Sequence, residues 1–277
     1  MNMKGGVGKT TLAVNVGYGL AHLHKKNVLI VDGDPQFNAT QYLLESDAYL
    51  KHLNDTKKGT LRDIFVPRRA GPISTLTGAS KKVNRTKMAL SACTCPVFDG
   101  GQNRGRLDLI PSSLQLMDIE TSKRGAEIKL KSYLNEKANS YDYVIIDCPP
   151  TISIFTQAAI LASDKYVVPI KPDSLSVLGL PLLETWLDEY TDDHGIEVEQ
   201  IGLIFTLVRG ATPKAMRQVM KELRTERNDK VFTNVLSEST DVAESVDAHQ
   251  PVFLYKPNSK TAGEIVDITQ EFIDRTT

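Results

Sequence analysis

The stretch Met3-Lys4-Gly5-Gly6-Val7-Gly8-Lys9-Thr10-Thr11 decides how this chain folds. Its glycines let the backbone adopt positive φ and bring N–H groups close around an anion, because no Cβ stands in the way. Apolar residues recur at helical spacing directly afterwards, so a helix is predicted to begin at about Thr10. The positive end of that helix points at the loop, and phosphate is therefore the expected ligand.

This loop departs from the ordinary phosphate-loop pattern. The pattern G-x-x-x-x-G-K-[ST] requires glycine at position 3, where this chain has methionine, and an additional lysine, Lys4, precedes the glycines. Lys9 and Thr10 keep their expected places, from which the lysine reaches the β- and γ-phosphates and the threonine hydroxyl binds Mg²⁺. The alternative interpretation is a glycine-rich turn that carries two solvated lysines.

Acidic residues follow two predicted strands. The apolar, β-branched run at 27–31 leads into Asp32-Gly33-Asp34-Pro35-Gln36-Phe37-Asn38-Ala39-Thr40, and the run at 143–146 leads into Asp147-Cys148-Pro149-Pro150. The ends of parallel strands meet at one edge of a sheet, so these carboxylates are predicted beside the nucleotide. The alternatives are a helix N-cap with an Asp-Pro turn, and a buried strand with a solvated terminal aspartate.

Together these segments resemble the ParA/Soj-type partition ATPases, part of the deviant Walker A group that includes MinD and the nitrogenase iron protein. The resemblance implies ATP and Mg²⁺ as cofactors. It implies that Lys4, Lys9 and Asp34 are catalytic, with Lys4 reaching the nucleotide of a second subunit and Asp34 polarising the attacking water. Metal-binding residues are then Thr10, Asp34 and Asp147. The nucleotide would contact the whole loop: Lys4, Gly5, Gly6, Val7, Gly8, Lys9, Thr10 and Thr11.

Alternating patterns predict the fold class. Apolar strands are predicted at 27–31, 107–110, 143–146, 166–170 and 201–207, with helices at 127–138, 174–190 and 212–225. This alternation indicates an α/β fold, with a mostly parallel, doubly wound sheet and helices on both faces, of the P-loop NTPase class. We expect one ATPase domain over 1–277, with a basic, loop-like insertion at about 67–106.

Only Met1 and Asn2 precede the phosphate loop. Such a loop is normally fed by a strand, which delivers it to the carboxyl edge of the sheet. Chains of the family that this one resembles carry an apolar run at that place. We therefore expect a truncated first strand here, with the natural start upstream of Met1.

Composition excludes several classes of protein. Hydrophobic residues make up 41% and charged residues 24%, and no apolar run approaches the roughly 20 residues of a membrane span. Without a cleavable signal, a cytoplasmic location is expected. Cys93, Cys95 and Cys148 match neither a disulfide framework nor the usual C-x₂-C metal spacing, so they are interpreted as structural thiols. The cysteines that hold the cluster of the nitrogenase iron protein have no evident counterpart here, which argues against that member of the group.

Two basic features suggest a nucleic-acid partner. The insertion at 67–106 carries eight Lys or Arg residues against the single acid Asp99. Four further Lys and Arg residues are spaced three, four and three residues apart. This spacing places them on one face of a helix, where they suit contacts with DNA phosphates. They are Lys214, Arg217, Lys221 and Arg224. The alternative for this set is a solvated face. The tail at 263–275 combines apolar with mostly acidic residues, so it is expected to pack on its own domain.

The resemblance then implies a cytoplasmic, nucleoid-associated partition ATPase. ATP would close a homodimer, the dimer would bind DNA non-specifically, and hydrolysis, weak alone and stimulated by a ParB-like centromere-binding protein, would release it. Such a cycle segregates a plasmid or a chromosome and involves no membrane. The alternative is a membrane-cycling positioning ATPase of the MinD type or a regulatory ATPase of polysaccharide synthesis.

Overall fold

A computed structural model of the chain describes residues 1–66, 88–101, 105–119, 125–210 and 213–277. Strands and helices alternate along these residues. The strands are β1 Asn27–Asp32, β2 Cys95–Asp99, β3 Arg106–Ile110, β4 Tyr143–Asp147, β5 Lys165–Ile170, β6 Glu199–Val208 and β7 Leu236–Ser237. The α-helices are α1 Lys9–His22, α2 Asn38–Leu43, α3 Ser46–Asn54, α4 Leu61–Phe65, α5 Leu90–Cys93, α6 Ile128–Lys137, α7 Ile154–Leu161, α8 Ser174–His194, α9 Lys214–Arg227, α10 Thr240–Asp247, α11 Val252–Tyr255 and α12 Lys260–Thr276.

The strands form a mostly parallel sheet in two parts, ordered β2-β3-β1-β4 and β5-β6-β7. Only β2 runs antiparallel to its neighbour among the described pairings. Residues 28–32 of β1 are all buried, as expected for a β-branched strand covered by helices on both faces. The predicted α/β, doubly wound fold is confirmed. The register of β1 and β4 places Asp32 directly beside Asp147 at the carboxyl edge.

A cavity separates the two parts of the sheet. It lies between β4 and β5 and is lined mainly by apolar side chains of β4, β5, β6 and α1. The amino group of Met1 donates to the carbonyl of Val167 at its border, and Asn2 Nδ2 donates to the Pro169 carbonyl at 2.8 Å. No described residues form a strand between β4 and β5. The expected position of the natural start upstream of Met1 stays a prediction.

Residues 88–101 of the insertion contain secondary structure that the sequence did not predict. Over 88–101 the chain forms α5 and then β2, which pairs antiparallel with β3. The pairing is irregular around Pro96, because proline cannot donate to the ladder and is tolerated only at edges and bulges. Val97 and Phe98 pack against the core and hold this edge strand in place. Most of the predicted basic cluster lies outside the described residues: Arg68, Arg69, Lys81, Lys82, Arg85, Lys87 and Arg104.

The C-terminal helix packs against α1, as its amphipathic pattern predicts. Ile265 and Ile268 of α12 are buried in the core that they share with α1. The two helices approach so closely that a Cβ on Gly19 would lie 2.8 Å from Thr269 Oγ1. Within the described part of the chain, every helix is too short or too polar to cross a membrane.

Candidate active site

The glycine-rich loop leads into α1 with backbone conformations that favour glycine. Gly6 has φ of 68° and Gly8 has φ of 79°, both in the left-handed region. Gly8 is the N-cap of α1 and has no side chain to satisfy the first N–H groups of the helix. Those N–H groups and the helix dipole are consequently available to an anion at the loop.

Hydrogen bonds from β6 and within the loop hold the glycine-rich loop in its conformation. Thr206 Oγ1 of β6 donates to the Val7 carbonyl at 2.8 Å, and the Val7 side chain is buried. Lys9 Nζ donates across the loop to the Lys4 carbonyl at 2.9 Å. Burial lowers the pKa of Lys9, against the attraction of nearby Asp147. This half-buried ammonium is thus placed at the anion site, where a phosphate would complete its partners.

Thr10 and Asp147 join the loop to β4. Thr10 Oγ1 donates to Asp147 Oδ2 at 2.6 Å. Burial raises the pKa of Asp147 to about 6, a shift that the Thr10 hydrogen bond opposes and the charge of Asp34 adds to. The hydroxyl and the carboxylate that the sequence assigned to the metal therefore lie in contact.

Asp32 holds the segment after β1 in place. Its side chain is fully buried, and Oδ2 accepts from the Thr40 amide at 2.8 Å and the Thr40 hydroxyl at 2.7 Å. Burial, and then the neighbouring charge of Asp147, raise the pKa of Asp32 to about 7. The Ser112 amide donates to Thr40 Oγ1 at 3.1 Å. Asp32 thus anchors the segment after β1 to the end of β3.

Asp34 lies on the segment that Asp32 anchors. Its side chain is almost fully buried, and Oδ1 accepts from the Gln36 amide at 2.9 Å. The negative charge of Asp34 acts to raise the pKa of both Lys9 and Asp147, so the three groups lie near one another. The side chains that the sequence predicted at one site thus lie near one another, and the function of Asp34 stays a prediction.

These groups fit Mg²⁺ by their chemistry. Magnesium prefers hard oxygen ligands and usually keeps several waters, taking one or two carboxylates together with substrate phosphates. The Thr10 hydroxyl and the carboxylates of Asp34 and Asp147 are such ligands. The part of the chain that the structure describes holds no group of three or more His, Cys, Asp or Glu side chains that could hold an ion. A metal at this site would accordingly depend on water and phosphate oxygens as well.

Lys4 is held by two residues that sequence reasoning missed. Its Nζ lies 3.0 Å and 2.8 Å from the carboxylate oxygens of Asp173 and 3.2 Å from Ser176 Oγ. Asp173 is the N-cap of α8 and accepts from the Ser176 amide at 2.8 Å. Burial opposes its ionisation, but the hydrogen bonds from Lys4 and Ser176 outweigh burial and lower the pKa of Asp173. A polar residue between a strand end and a helix start was the signal that could have found it.

The four cations that the sequence predicted on one face of α9 are all exposed. Arg217, Lys221 and Arg224 line one open hollow together with Thr233 and other residues. Arg224 Nη2 donates to the Thr233 carbonyl at 3.0 Å, which orients its guanidinium. The predicted common face is therefore present, with Lys214 at the start of the helix.

The cysteines are free in the structure, as the sequence indicated. Cys93 and Cys95 are buried, and Cys148 is partly buried. Cys95 Sγ lies 3.1 Å from His52 Nδ1, and burial raises the pKa of the Cys95 thiol to about 11. A buried thiol that resists ionisation is a structural one.

Comparison with known proteins agrees with this geometry. The model of a family described as "AAA domain" matches residues 1–199. The sporulation initiation inhibitor protein Soj of Bacillus subtilis (strain 168) is 30% identical over 273 residues, which are 98% of this chain and 95% of Soj.

Two solved structures share the fold of the chain. A putative plasmid partition protein from Borrelia burgdorferi B31, bound to AMPPNP, has a TM-score of 0.75 at 22% identity, covering 99% of this chain and 97% of that one. Cobyrinic acid a,c-diamide synthase from Mycobacterium smegmatis, with bound ADP and magnesium, has a TM-score of 0.73 at 20% identity, covering 100% and 93%. At these identities the likeness concerns the fold alone.

Proposed function

The chain belongs to the ParA/Soj-type partition ATPases, and on that premise we propose that it segregates a plasmid or a chromosome by an ATP-driven cycle of dimerisation and DNA binding. The observation that carries this proposal is the convergence of Lys4, Lys9, Thr10, Asp34 and Asp147 on one glycine-rich loop. The Borrelia and Mycobacterium structures, which hold AMPPNP and ADP with magnesium, support ATP and Mg²⁺ as the cofactors.

The loop would bind the phosphates of ATP. The N–H groups at the start of α1 would donate to phosphate oxygens, and Lys9 would exchange the Lys4 carbonyl for the β- and γ-phosphates. Thr10, Asp147 and Asp34 would hold Mg²⁺ directly or through water. When bound, Mg²⁺ neutralises charge on the β- and γ-phosphate oxygens.

Hydrolysis needs a positioned water. Phosphoryl transfer is catalysed mainly by positioning and by electrostatic stabilisation, and little covalent chemistry falls to the protein. Asp34 would orient and polarise the attacking water. The anchor between Asp32 and Thr40 limits the movement of its segment, while the Gln36 amide orients its carboxylate. Lys4 of the second subunit would neutralise charge on the phosphates, which makes hydrolysis depend on the dimer.

DNA binding would belong to the ATP-bound dimer. The cations of α9 suit phosphate contacts, which give affinity through counterion release and carry little sequence information. A ParB-like centromere-binding protein would stimulate hydrolysis and release the DNA, and the protein would be found on the nucleoid in the cytoplasm.

The experiment that tests the proposal is binding of the full chain to random duplex DNA, measured by fluorescence anisotropy with ATP, with ADP and without nucleotide, over a range of salt. We expect binding that needs ATP and Mg²⁺ and weakens steeply with salt. The variant Lys9→Ala is the matched control and should lose both ATP binding and DNA binding. Binding to anionic liposomes without affinity for DNA would overturn the proposal in favour of a membrane-cycling ATPase.

A further inference from the structure

A second pocket lies beside the segment that carries Asp34. Its walls come from Phe37, α3, the turn before α4, α4 itself and the residues that follow β3. None of the described residues that line it belongs to the phosphate loop. Its volume is about 530 Å³, and small-molecule sites typically measure roughly 300–1,000 Å³. We call it the α3–α4 pocket.

Two buried polar atoms on the wall of the α3–α4 pocket lack partners. Arg62 Nε and Ser113 Oγ are buried, and neither has a hydrogen-bond partner among the described residues. Ser113 is only 6% exposed, whereas Arg62 is only partly buried and keeps access to the pocket that it lines. Buried polar groups of native proteins are almost always paired. A ligand that accepts from both side chains would supply the missing partners.

The charge of the wall favours an anion. Lys58 adds a second positive charge beside that of Arg62, and its Nζ donates to the Ser91 carbonyl at 3.0 Å. Asp63 is the acid among the described lining residues, and its Oδ2 accepts from the Thr60 amide at 3.0 Å in a capping box. Guanidinium, ammonium and hydroxyl donors together suit a phosphate group, which has several oxygens to satisfy.

An aromatic wall adjoins these cations. The rings of Phe37 and Tyr49 stack with centroids 5.6 Å apart and an interplanar angle of 23°, and both line the pocket. The Tyr49 hydroxyl donates to the Ser112 carbonyl at 2.8 Å, which fixes the position of its ring. Aromatic faces and edges attract other flat rings. The pocket therefore suits a ligand that combines a phosphate with a planar ring.

The aromatic wall is joined to Asp34. Phe37 has φ of 49°, a left-handed conformation that is uncommon for a bulky side chain. Its amide donates to the Asp34 carbonyl at 2.8 Å, and its ring is held by Tyr49. A strained backbone of this kind persists only where its surroundings determine it. A ligand that packs on the Phe37 ring consequently acts on the segment that carries Asp34.

We propose that the α3–α4 pocket binds a small phosphate ester of mononucleotide size, and that its occupancy alters ATP hydrolysis through Phe37. Arg62 and Ser113 would hold the phosphate, and the wall of Phe37 and Tyr49 would contact the ring. The effect on hydrolysis rests on the proposed function, in which Asp34 orients the attacking water. Binding in the pocket does not depend on it.

The first test measures binding of radiolabelled AMP by equilibrium dialysis. The full chain carries Lys9→Ala, so that the phosphate loop does not contribute. We expect saturable binding, which Arg62→Gln weakens by about tenfold or more and Ser113→Ala by about threefold, with unchanged circular dichroism spectra. Ribose 5-phosphate, which lacks the ring, should compete more weakly than AMP. Lys51→Gln removes one charge from an exposed position of α3 outside the pocket and is the control, with AMP affinity within about twofold.

The second test measures ATP hydrolysis by the parent chain and by Arg62→Gln, each with and without AMP. AMP should change the rate of the parent by at least about twofold. Arg62→Gln should hydrolyse ATP at the parent rate and should not respond to AMP.

The outcomes separate the pocket from the proposed function. If the Lys9→Ala chain does not bind AMP saturably, or if Arg62→Gln leaves that binding intact, the pocket is not a phosphate site. Binding of malonate without AMP would assign it to carboxylates and overturn the proposal. AMP binding that leaves hydrolysis unchanged would remove the link through Phe37. A parent chain that does not hydrolyse ATP would contradict the proposed function, while dialysis would still decide whether the pocket binds AMP.

Discussion

Lys4 and Asp173 form an ion pair that ties the phosphate loop to the start of α8, with Nζ 2.8 Å from the nearer carboxylate oxygen. The pair occupies the lysine that the proposed mechanism needs on the partner's nucleotide. Its side chains are 38% and 29% exposed, and ion pairs of that exposure contribute about 1 kcal/mol or less. The contact can therefore hold Lys4 before dimerisation and release it at small cost.

The variant Asp173→Asn tests this role of the ion pair. We expect the AMPPNP-bound dimer to form up to about 30-fold more tightly, because a pair worth about 1 kcal/mol or less no longer competes for Lys4 in each of the two subunits. Sedimentation equilibrium measures the dimer constant, and Lys4→Gln, which removes the lysine itself, is the control that should abolish ATP hydrolysis. Weaker dimerisation of Asp173→Asn would mean that Asp173 positions Lys4 for the partner.

The pH dependence of stability follows from the buried carboxyls. Burial raises the pKa of Asp32 to about 7 and that of Asp147 to about 6, from an unfolded value of 3.8. Each group binds its proton more tightly when folded, so its stabilising contribution is complete below the unfolded pKa and is lost as pH rises through 6 to 7. Between pH 3.8 and its folded pKa, each carboxyl lowers the free energy of unfolding by up to about 1.4 kcal/mol per pH unit.

Urea unfolding at pH 5 and pH 7.5 measures this effect without nucleotide. The variant Asp32→Asn removes one titrating group and keeps an acceptor for Thr40, so its stability should change less with pH than that of the parent. The exposed Asp47→Asn on α3 serves as the control and should leave the slope unaltered. Equal slopes for Asp32→Asn and the parent would contradict the assignment.

If the basic face of α9 binds DNA phosphates, its cations set how steeply DNA binding weakens with salt. Replacing Arg217 and Lys221 by alanine should weaken DNA binding, because two phosphate contacts are lost. The slope of log K against log salt should decrease in magnitude by roughly 0.9 for each contact, about 1.8 for each subunit whose α9 contacts the duplex. The double variant Lys51→Ala/Lys57→Ala removes the same charge from exposed positions elsewhere and is the control. An unchanged slope, with normal ATP hydrolysis, would show that the α9 face is only solvated.

Much of the site could be predicted from the sequence because its signals are local. Glycine spacing determines the loop, and an apolar run followed by an acid determines where Asp34 and Asp147 lie, since parallel strands end at one edge. Asp173 escaped prediction because its contact with Lys4 joins residues far apart in the chain. The anchoring role of Asp32 escaped prediction for the same kind of reason. Asp32 accepts from Thr40, and the Ser112 amide reaches Thr40 only after β1 and β3 pair.

The edge strand β2 was missed for a different reason. Its proline and its irregular register break the alternation that identifies a strand, and its place is decided by pairing with β3 and by packing of Phe98. Tertiary contacts of this sort leave little trace in a short window of sequence. The same limit applies to the exposed leucines of α8, Leu175, Leu178 and Leu182, because their exposure depends on which face of α8 packs against the core.

The cavity between β4 and β5 leads to the last prediction. Its walls are apolar, and each of its two bordering strands has a backbone edge that no other described strand pairs with. An extended segment of β-branched residues joined to Met1 would pair with both edges and bury its side chains. Burying one such side chain contributes about 1.5–3 kcal/mol, against about 1–2 kcal/mol for ordering its backbone.

A five-residue Val/Ile extension before Met1 should therefore raise the free energy of unfolding by a few kcal/mol, and a Gly/Ser extension of equal length is the matched control. Urea unfolding compares both with the parent chain. The Val/Ile extension should also protect the amides of β4 and β5 from hydrogen exchange, because their free edges become hydrogen-bonded. Equal stability and equal exchange for the two extensions would show that the cavity does not accept a strand.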